Sequence, residues 1–317
     1  MEYIALGSWF LNDIAFADGR KMEDLMGGCG LFAYCGLLQY TSDALFLGAV
    51  GTDMEEKFGA FIDRNHISRK GFLTYPNRTT VARLRYEPDG QWNEEFFYGP
   101  RELGIDVNFH VPEMYEKVEQ VLSQGRTKGL YTVDKVADRD SQRRMDRLRE
   151  KYGVKLMWEL FTADCRPENL KTLVEEALPC YDIYSLNRTE SYTLFSVSTE
   201  EEAIQRILEI GRPCFFRAGS KGSYMIRDGH VAFMPTVNLV PREQEIDPTG
   251  CGNCSTAAAL WAFCEGYDDL EIAALANVAA AYNVQQYGPW PTFTPELRAQ
   301  ALAKGLALAG EARRAEG

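Results

Sequence analysis

The chain has 317 residues, enough for one large α/β domain or two small ones, and its 45% hydrophobic and 25% charged content suits a globular fold with a sizeable core. A formal net charge of −12, with no long Lys/Arg run, argues against nucleic acid or an anionic membrane as partner. Any phosphate site must therefore be a local patch on an acidic protein.

No apolar stretch reaches the length of a membrane span. The N-terminal stretch from Met1 lacks a basic region and meets Asp13 too early for a signal peptide, so a cytoplasmic location is expected. The eight cysteines are scattered, several within apolar runs such as those around Cys180 and Cys214, as reduced core residues would be. Three histidines, His66, His110 and His230, show no metal-ligand spacing.

Short apolar runs alternate with helical patterns along the chain. Tyr3–Leu6 reads as a first strand ending at Gly7-Ser8, and Leu31–Leu38 as a helix after Gly27-Gly28. Ala44–Val50 reads as a strand ending at Gly51-Thr52-Asp53, followed by an amphipathic helix over Glu55–Asn65. Thr79–Tyr98 alternates β-rich residues around a turn at Pro88-Asp89-Gly90 and ends in Glu94-Glu95-Phe96-Phe97-Tyr98, which predicts a hairpin acting as a lid. Gly129–Val133, Lys155–Glu159 and Asp182–Ser185 read as buried strands, with helices over Ser141–Tyr152 and Asn169–Ala177. Cys214–Arg217 and Gly222–Arg227 read as a hairpin pair, Cys254–Cys264 and Leu270–Gln285 as helices, and the tail after Thr294 as a further helix. Strands alternating with helices predict a doubly wound, mostly parallel sheet. The expected organisation is a single domain over 1–317, with a small β lid formed by segments near 10–22 and 72–100.

The most informative segment is Asp247-Pro-Thr-Gly250-Cys251-Gly252-Asn253-Cys254, running into an alanine-rich helix. Backbone N–H groups at a helix start, with no bulky Cβ in the way, form an anion site. A glycine turn can also simply start a helix; Asp247, Thr249 and the small-residue helix favour the anion site. The segment resembles the second signature of the ribokinase/PfkB family of carbohydrate kinases, Asp-x-Thr-Gly-Ala-Gly-Asp. Its final Asp, the family's catalytic base, is Asn253 here.

The resemblance extends along nearly the whole chain. Ser185-Leu-Asn187-Arg-Thr-Glu190 resembles the family's Asn-x-x-Glu motif, which implies Mg²⁺ organised by Glu190 beside nucleotide phosphates. Read alone, the same residues form a helix start with Asn187 as N-cap and Glu190 at N3. Gly27-Gly28 and Val50-Gly51-Thr52-Asp53 resemble the first family signature, but the family's substrate-facing Asn falls at Phe32. Asn12 and Asp13 stand where the family places a substrate-binding Asp; without the resemblance they are a polar turn. Arg217-Ala-Gly219-Ser-Lys-Gly222 resembles the family's nucleotide loop, with Arg217 in place of Thr. Arg217 is a phosphate contact or a surface charge, and Asn277 an adenine-pocket residue or part of a solvated helix face. Cys251-Gly-Asn-Cys254 is also a Cys-x-x-Cys at a helix start, the placement of a redox pair, with no thioredoxin-like context around it.

The resemblance implies an ATP- and Mg²⁺-dependent kinase of a small sugar-like metabolite. Asn253, Asp247 and the Gly250-Cys251-Gly252 turn would form its catalytic centre. Asn12, Asp13, Gly27, Gly28 and Phe32 would face the substrate. Asn187, Glu190, Arg217, Gly219, Gly222 and Asn277 would face the nucleotide. An amide at 253 cannot accept a hydroxyl proton, so two other readings stay open: a kinase-fold protein that binds without transferring, or a lyase or hydrolase of a phosphorylated sugar using the same anion hole. The lid also offers an edge through which a second copy could pair as a homodimer.

Overall fold

The computed structural model describes residues 1–88, 92–97 and 112–316. The turn beyond Pro88, Tyr98, His110 and the rings of Phe96 and Phe97 lie outside the described residues.

Nine strands form the main sheet: β1 (Tyr3–Ser8), β4 (Ala44–Val50), β5 (Phe72–Thr74), β8 (Gly129–Thr132), β9 (Lys155–Glu159), β10 (Ile183–Asn187), β11 (Cys214–Arg217), β12 (Gly222–Arg227) and β13 (His230–Pro235). Their spatial order is β13-β12-β11-β10-β9-β8-β1-β4-β5. All neighbours from β5 to β11 run parallel, and β12 and β13 add an antiparallel edge. β1 is buried at every position, as a strand covered on both faces must be. Its side chains alternate between two cores. Tyr3 and Ala5 enter one with α1 (Cys29–Leu38), α2 (Met54–Arg64), α8 (Cys251–Glu265) and α9 (Asp269–Asn283). Ile4 and Leu6 enter the other with α3 (Pro112–Leu122), α4 (Arg139–Tyr152), α6 (Arg188–Phe195) and α7 (Glu200–Ile210). The sheet is the predicted doubly wound one.

α1 and α8 are apolar nearly all round because each is buried on most sides. They approach closely: a Cβ on Gly36 would collide with the Cys254 carbonyl. This contact sets α1, and the Gly27-Gly28 turn before it, beside the turn that opens α8. α10 (Pro295–Glu316) is the predicted tail helix.

The second sheet is four-stranded, in the order β3-β2-β6-β7. β6 (Val81–Tyr86) and β7 (Trp92–Phe97) are the predicted hairpin. β2 (Phe10–Ala15) and β3 (Lys21–Gly27) form a second hairpin, where Asn12 and Asp13 by themselves suggest only a polar turn. Its alternation is weak because Gly27 is the one buried residue of β3. β5, β13, α3 and α7 have no counterpart in the sequence reading, although α7 opens with a capping box between Thr199 and Glu202.

The helix expected over Asn169–Ala177 is not regular. The chain there passes through a 3₁₀ turn (Pro167–Asn169), a single α turn α5 (Leu170–Thr172), a π turn (Leu173–Ala177) and another 3₁₀ turn (Leu178–Cys180). Pro167 and Pro179 bracket the segment, and each removes a backbone donor. No helix among the described residues is long and apolar enough to cross a membrane.

Candidate active site

The carboxyl ends of β9, β10 and β11 place Glu159, Asn187 and Arg217 side by side; Asn187 is in direct register with Arg217. Open α/β sheets present ligand crevices at this edge. The glycine turn arrives against it from the other side. Gly250 is the N-cap of α8 with φ of 79°, in the left-handed region that favours glycine. A Cβ there would collide with the Phe32 ring, so that ring lies on the turn. A Cβ on Gly252 would collide with the Arg217 guanidinium. Gly252 and Asn253 occupy N2 and N3, where backbone N–H groups have no partner within the helix.

Arg217 is not a surface charge. Its side chain is 12% exposed and lies 2.7 Å from Glu159 and 3.4 Å from Glu190, which are 5% and 3% exposed. Its Nε is buried without a partner. Burial alone would lower the guanidinium's affinity for its proton; the two carboxylates outweigh it and hold the pKa above the usual arginine value. Glu190 is held above the ordinary carboxyl range by burial, although Arg217 and the Asn187 N–H pull it down.

Asn187 and Glu190 do form a capping box. The Asn187 side chain accepts from the Glu190 N–H at 2.9 Å, and Glu190 Oε2 accepts from the Asn187 N–H at 2.6 Å. Glu190 Oε1 accepts from the Thr162 hydroxyl at 2.7 Å. Both carboxylate oxygens are therefore committed, and a cation already stands beside them. A Mg²⁺ bound here would have to displace a hydrogen-bond donor and sit against the guanidinium. The residues present do not fit direct ligation of Mg²⁺ by Glu190, while contact through water, which the motif implies, would need only a free lone pair on Oε1.

Asn253 donates toward the Tyr131 hydroxyl at 3.5 Å, and Tyr131 donates to Glu159 at 2.6 Å. One polar chain thus runs from Asn253 through Tyr131, Glu159 and Arg217 to Glu190. Tyr131, Glu159 and Thr162 escaped sequence reading because each stands at a strand end or loop with no motif around it. The one available sign was a Glu closing the apolar strand Lys155–Glu159, where a buried charge needs a partner.

Asp247 is buried, accepts from the Thr249 N–H at 2.9 Å through Oδ1, and has Oδ2 without a partner. Burial pushes its carboxyl up, against the pull of the Thr249 hydrogen bonds. Asn283 Nδ2 donates to the Thr249 carbonyl at 2.9 Å and helps to fix the turn.

The second sheet is seated on this turn. The Tyr86 and Thr249 hydroxyls are 2.9 Å apart, and Phe16 stacks on Tyr86 with ring centroids 5.7 Å apart. Arg20 lies over Phe16 and donates to the Tyr287 hydroxyl at 2.7 Å and the Ile246 carbonyl at 3.3 Å. Asp53, in the Val50–Asp53 motif, accepts from the Thr79 N–H at 2.7 Å and fixes the entry to β6. Burial would raise its pKa, but the Thr79 and Arg78 hydrogen bonds bring the net shift below the ordinary value.

Asn12 is buried against Gly27, with Oδ1 unpartnered. Asp13 instead faces Arg83 at 3.7 Å and accepts from the Asp24 N–H at 3.1 Å. Gly28 has φ of 107° and caps α1 where a Cβ would meet the Ser8 carbonyl. Gly219 and Gly222 both have positive φ, and a Cβ on Gly222 would strike the Met234 carbonyl. Asn277 is buried, not solvated: it accepts from Ser223 at 2.8 Å and donates to the carbonyls of Met234 and Pro235, both at 3.0 Å. The Cys251 and Cys254 thiols donate to carbonyls of α9. Burial pushes Cys251 up to about 12 and Cys254 well above its usual value, the reverse of a reactive thiolate pair.

Known proteins share this fold. An adenosine kinase from Sinorhizobium meliloti is similar over 95% of this chain and 98% of its own, with a TM-score of 0.73 and 20% identity. A nucleoside kinase from Burkholderia thailandensis, in complex with ADP-inosine, is similar over 97% of this chain and 96% of its own, with a TM-score of 0.71 and 17% identity. An uncharacterised protein of Schizosaccharomyces pombe is 23% identical over 91% of this chain and 85% of its own length. The family model described as pfkB family carbohydrate kinase matches residues 12–295, and the chain belongs to that family.

Proposed function

We propose that this chain is an ATP-dependent phosphotransferase for a small metabolite of sugar or nucleoside type, altered at its base. The observation that carries the reading is the convergence of the Gly250–Gly252 turn, Arg217 and the Asn187–Glu190 cap at one sheet edge, closed over by the second sheet. The nucleoside kinase of similar fold, in complex with ADP-inosine, supports a nucleotide on one side of the turn and a ring-bearing acceptor on the other.

The N–H groups of Gly252 and Asn253, with the guanidinium behind them, would meet the charge that develops on the transferring phosphoryl group. Asn12 would bind the acceptor through its unpartnered Oδ1, with Asp13, Gly27 and Gly28 shaping the floor and Phe32 supplying an apolar wall. Asn187, Gly219, Gly222 and Asn277 would shape the nucleotide side. The second sheet would act as the lid, with Tyr86 and Arg20 as latches. The exposed edge strand β3 leaves backbone groups for a second copy, so a homodimer through the lid is part of the proposal, readable by sedimentation.

Asn253 takes no proton. Losing a general base typically slows a reaction by about 10²–10⁴-fold, so neutral hydroxyls should be poor acceptors and ionised ones, a carboxylate or a phosphate, better. Asn253 also favours a second reading, a kinase-fold binding protein with no transfer. The test is calorimetry with ATP and ADP at millimolar concentration, together with steady-state ADP release across sugars, nucleosides and sugar acids. Nucleotide binding with turnover supports the phosphotransferase. Binding without turnover supports the second reading, and no binding of any nucleotide overturns both.

A further inference from the structure

We propose that the Arg217 guanidinium, held between Glu159 and Glu190 and resting on Gly252, takes the place of a divalent cation at the anion turn, so that nucleotide phosphates bind there without a metal. The inference deepens the nucleotide reading above and rests on it for its ligand, though not for its geometry.

Two buried carboxylates converging on one point need a positive charge between them, and a lone buried pair would be strongly unfavourable. A divalent metal is one solution; the guanidinium fills the position here, at 2.7 Å from Glu159 and 3.4 Å from Glu190. Both carboxylates are also hydrogen-bonded. Tyr131 donates to Glu159 at 2.6 Å, and Thr162 and the Asn187 N–H donate to Glu190 at 2.7 and 2.6 Å. Each of the four carboxylate oxygens thus has a donor in place. Among the described residues no group of three or more His, Cys, Asp or Glu side chains is placed to hold one elsewhere.

The guanidinium has capacity to spare. Arginine carries five N–H donors in a planar fork, and its Nε is buried here with no partner. It touches the anion turn itself at Gly252, where a Cβ would meet its Nη1. A phosphate oxygen at the N–H groups of Gly252 and Asn253 would sit within reach of a charge fixed in the protein.

Two measurements on the intact chain test this. The first is calorimetry with ADP in Mg²⁺ and again in EDTA. Affinity equal within about twofold in the two buffers supports the proposal, and a loss of more than about tenfold in EDTA overturns it. The second is the thermal midpoint with and without Mg²⁺, for the parent chain and for Arg217→Gln. Removing the guanidinium bares two carboxylates, so Mg²⁺ should raise the midpoint of the variant and leave the parent unchanged. A variant indifferent to Mg²⁺ overturns the proposal.

If ADP binds the parent in neither buffer, the nucleotide reading falls and the thermal comparison alone decides whether Arg217 stands in for a cation. Should Arg217→Gln fail to fold, Glu190→Gln replaces it. ADP affinity that stays equal in Mg²⁺ and EDTA supports the proposal; affinity that falls only in the Mg²⁺ buffer identifies Glu190 as a metal ligand and overturns it.

Discussion

Replacing Asn253 by Asp restores the residue type that the family uses as base, yet it does so in an unfavourable place. Asn253 lies 3.5 Å from the Tyr131 hydroxyl, which donates to Glu159 at 2.6 Å. Tyr131 has one proton, already given to Glu159, so an Asp at 253 would face it without a donor. Laid end to end, the two contacts put the new carboxylate about 6 Å from Glu159. At an effective dielectric of about 20 their repulsion is roughly 3 kcal/mol, or about 2 pKa units. The α8 N-terminus returns about 0.3–1 kcal/mol of that. The Arg217 guanidinium, paired to Glu159 and resting on Gly252, offsets part of the remainder, so the new carboxyl should titrate above the ordinary value of about 4 but below about 6, and work as a base above that range. Turnover of a neutral hydroxyl acceptor should rise about 10²–10⁴-fold at neutral pH and fall away on the acid side. An acceptor that is already anionic should instead turn over more slowly in the variant. The assay is ADP release for both forms from about pH 5 to about pH 8.5. Robust parental phosphorylation of a neutral hydroxyl, unchanged in Asn253→Asp, would refute the idea that this position controls the chemistry.

Gly250→Ala combines a left-handed backbone with a collision against Phe32; each should cost about 1–3 kcal/mol, read as a lower denaturant midpoint together with weaker nucleotide binding. Asp247→Asn tests a buried carboxyl whose pKa is raised in the fold. Ionising it disfavours the folded state, so the penalty is absent below the unfolded carboxyl pKa of about 4 and complete above the raised folded value. The stability of the Asn variant relative to the parent should therefore increase as pH rises through that window and then level off; a pH-independent difference contradicts the assignment. Tyr86→Phe removes the bond to Thr249, worth about 0.5–1.5 kcal/mol, and amide exchange over β6 should speed up while the core strands stay protected. Equal protection in both forms would mean that Tyr86 is no latch.

Most of the main sheet was legible because its strands are short apolar runs bounded by glycines; α2 and α4 carry strong periodicity, and α1, α8 and α9 read as apolar, small-residue runs. The second sheet was legible only where β6 and β7 alternate; β3 buries only Gly27 and carries little hydrophobic pattern to read. In the site, Gly250, Gly252, Asn187 and Glu190 were visible because backbone geometry and capping constrain residue type locally. Arg217 was visible as a residue but not as a buried ion pair, since its partner Glu159 lies far earlier in the chain, on another strand. For Asn277 a solvated helix position stayed open beside the adenine-pocket reading because α9 is apolar on nearly every side, which removes the contrast that marks a buried face. Long-range polar contacts leave no periodic trace in a sequence. A buried charge inside an apolar run is the nearest available sign.

The departures at Phe32, Arg217 and Asn253 are physically connected. The Phe32 ring lies on Gly250 and the Arg217 guanidinium on Gly252, so both sides of the turn have been rebuilt around the same two glycines. Asn253 and Arg217 are then joined through Tyr131 and Glu159. A carboxylate at 253 would face Glu159 across Tyr131, a repulsion that Arg217 offsets in part, whereas an amide donates toward Tyr131 at no electrostatic cost. Asn253 is thus the side chain compatible with the Arg217 cluster, and more than a lost base. This coupling can be measured as a double-mutant cycle between Asn253→Asp and Glu159→Gln, with stability read at about pH 8. If Glu159 is what disfavours the new carboxylate, Asn253→Asp should cost up to about 3 kcal/mol more in the parent than in the Glu159→Gln background, where a neutral amide faces it. Additive effects, within about 0.5 kcal/mol, would show that the two positions do not sense each other and that the substitution at 253 arose independently of the buried cluster.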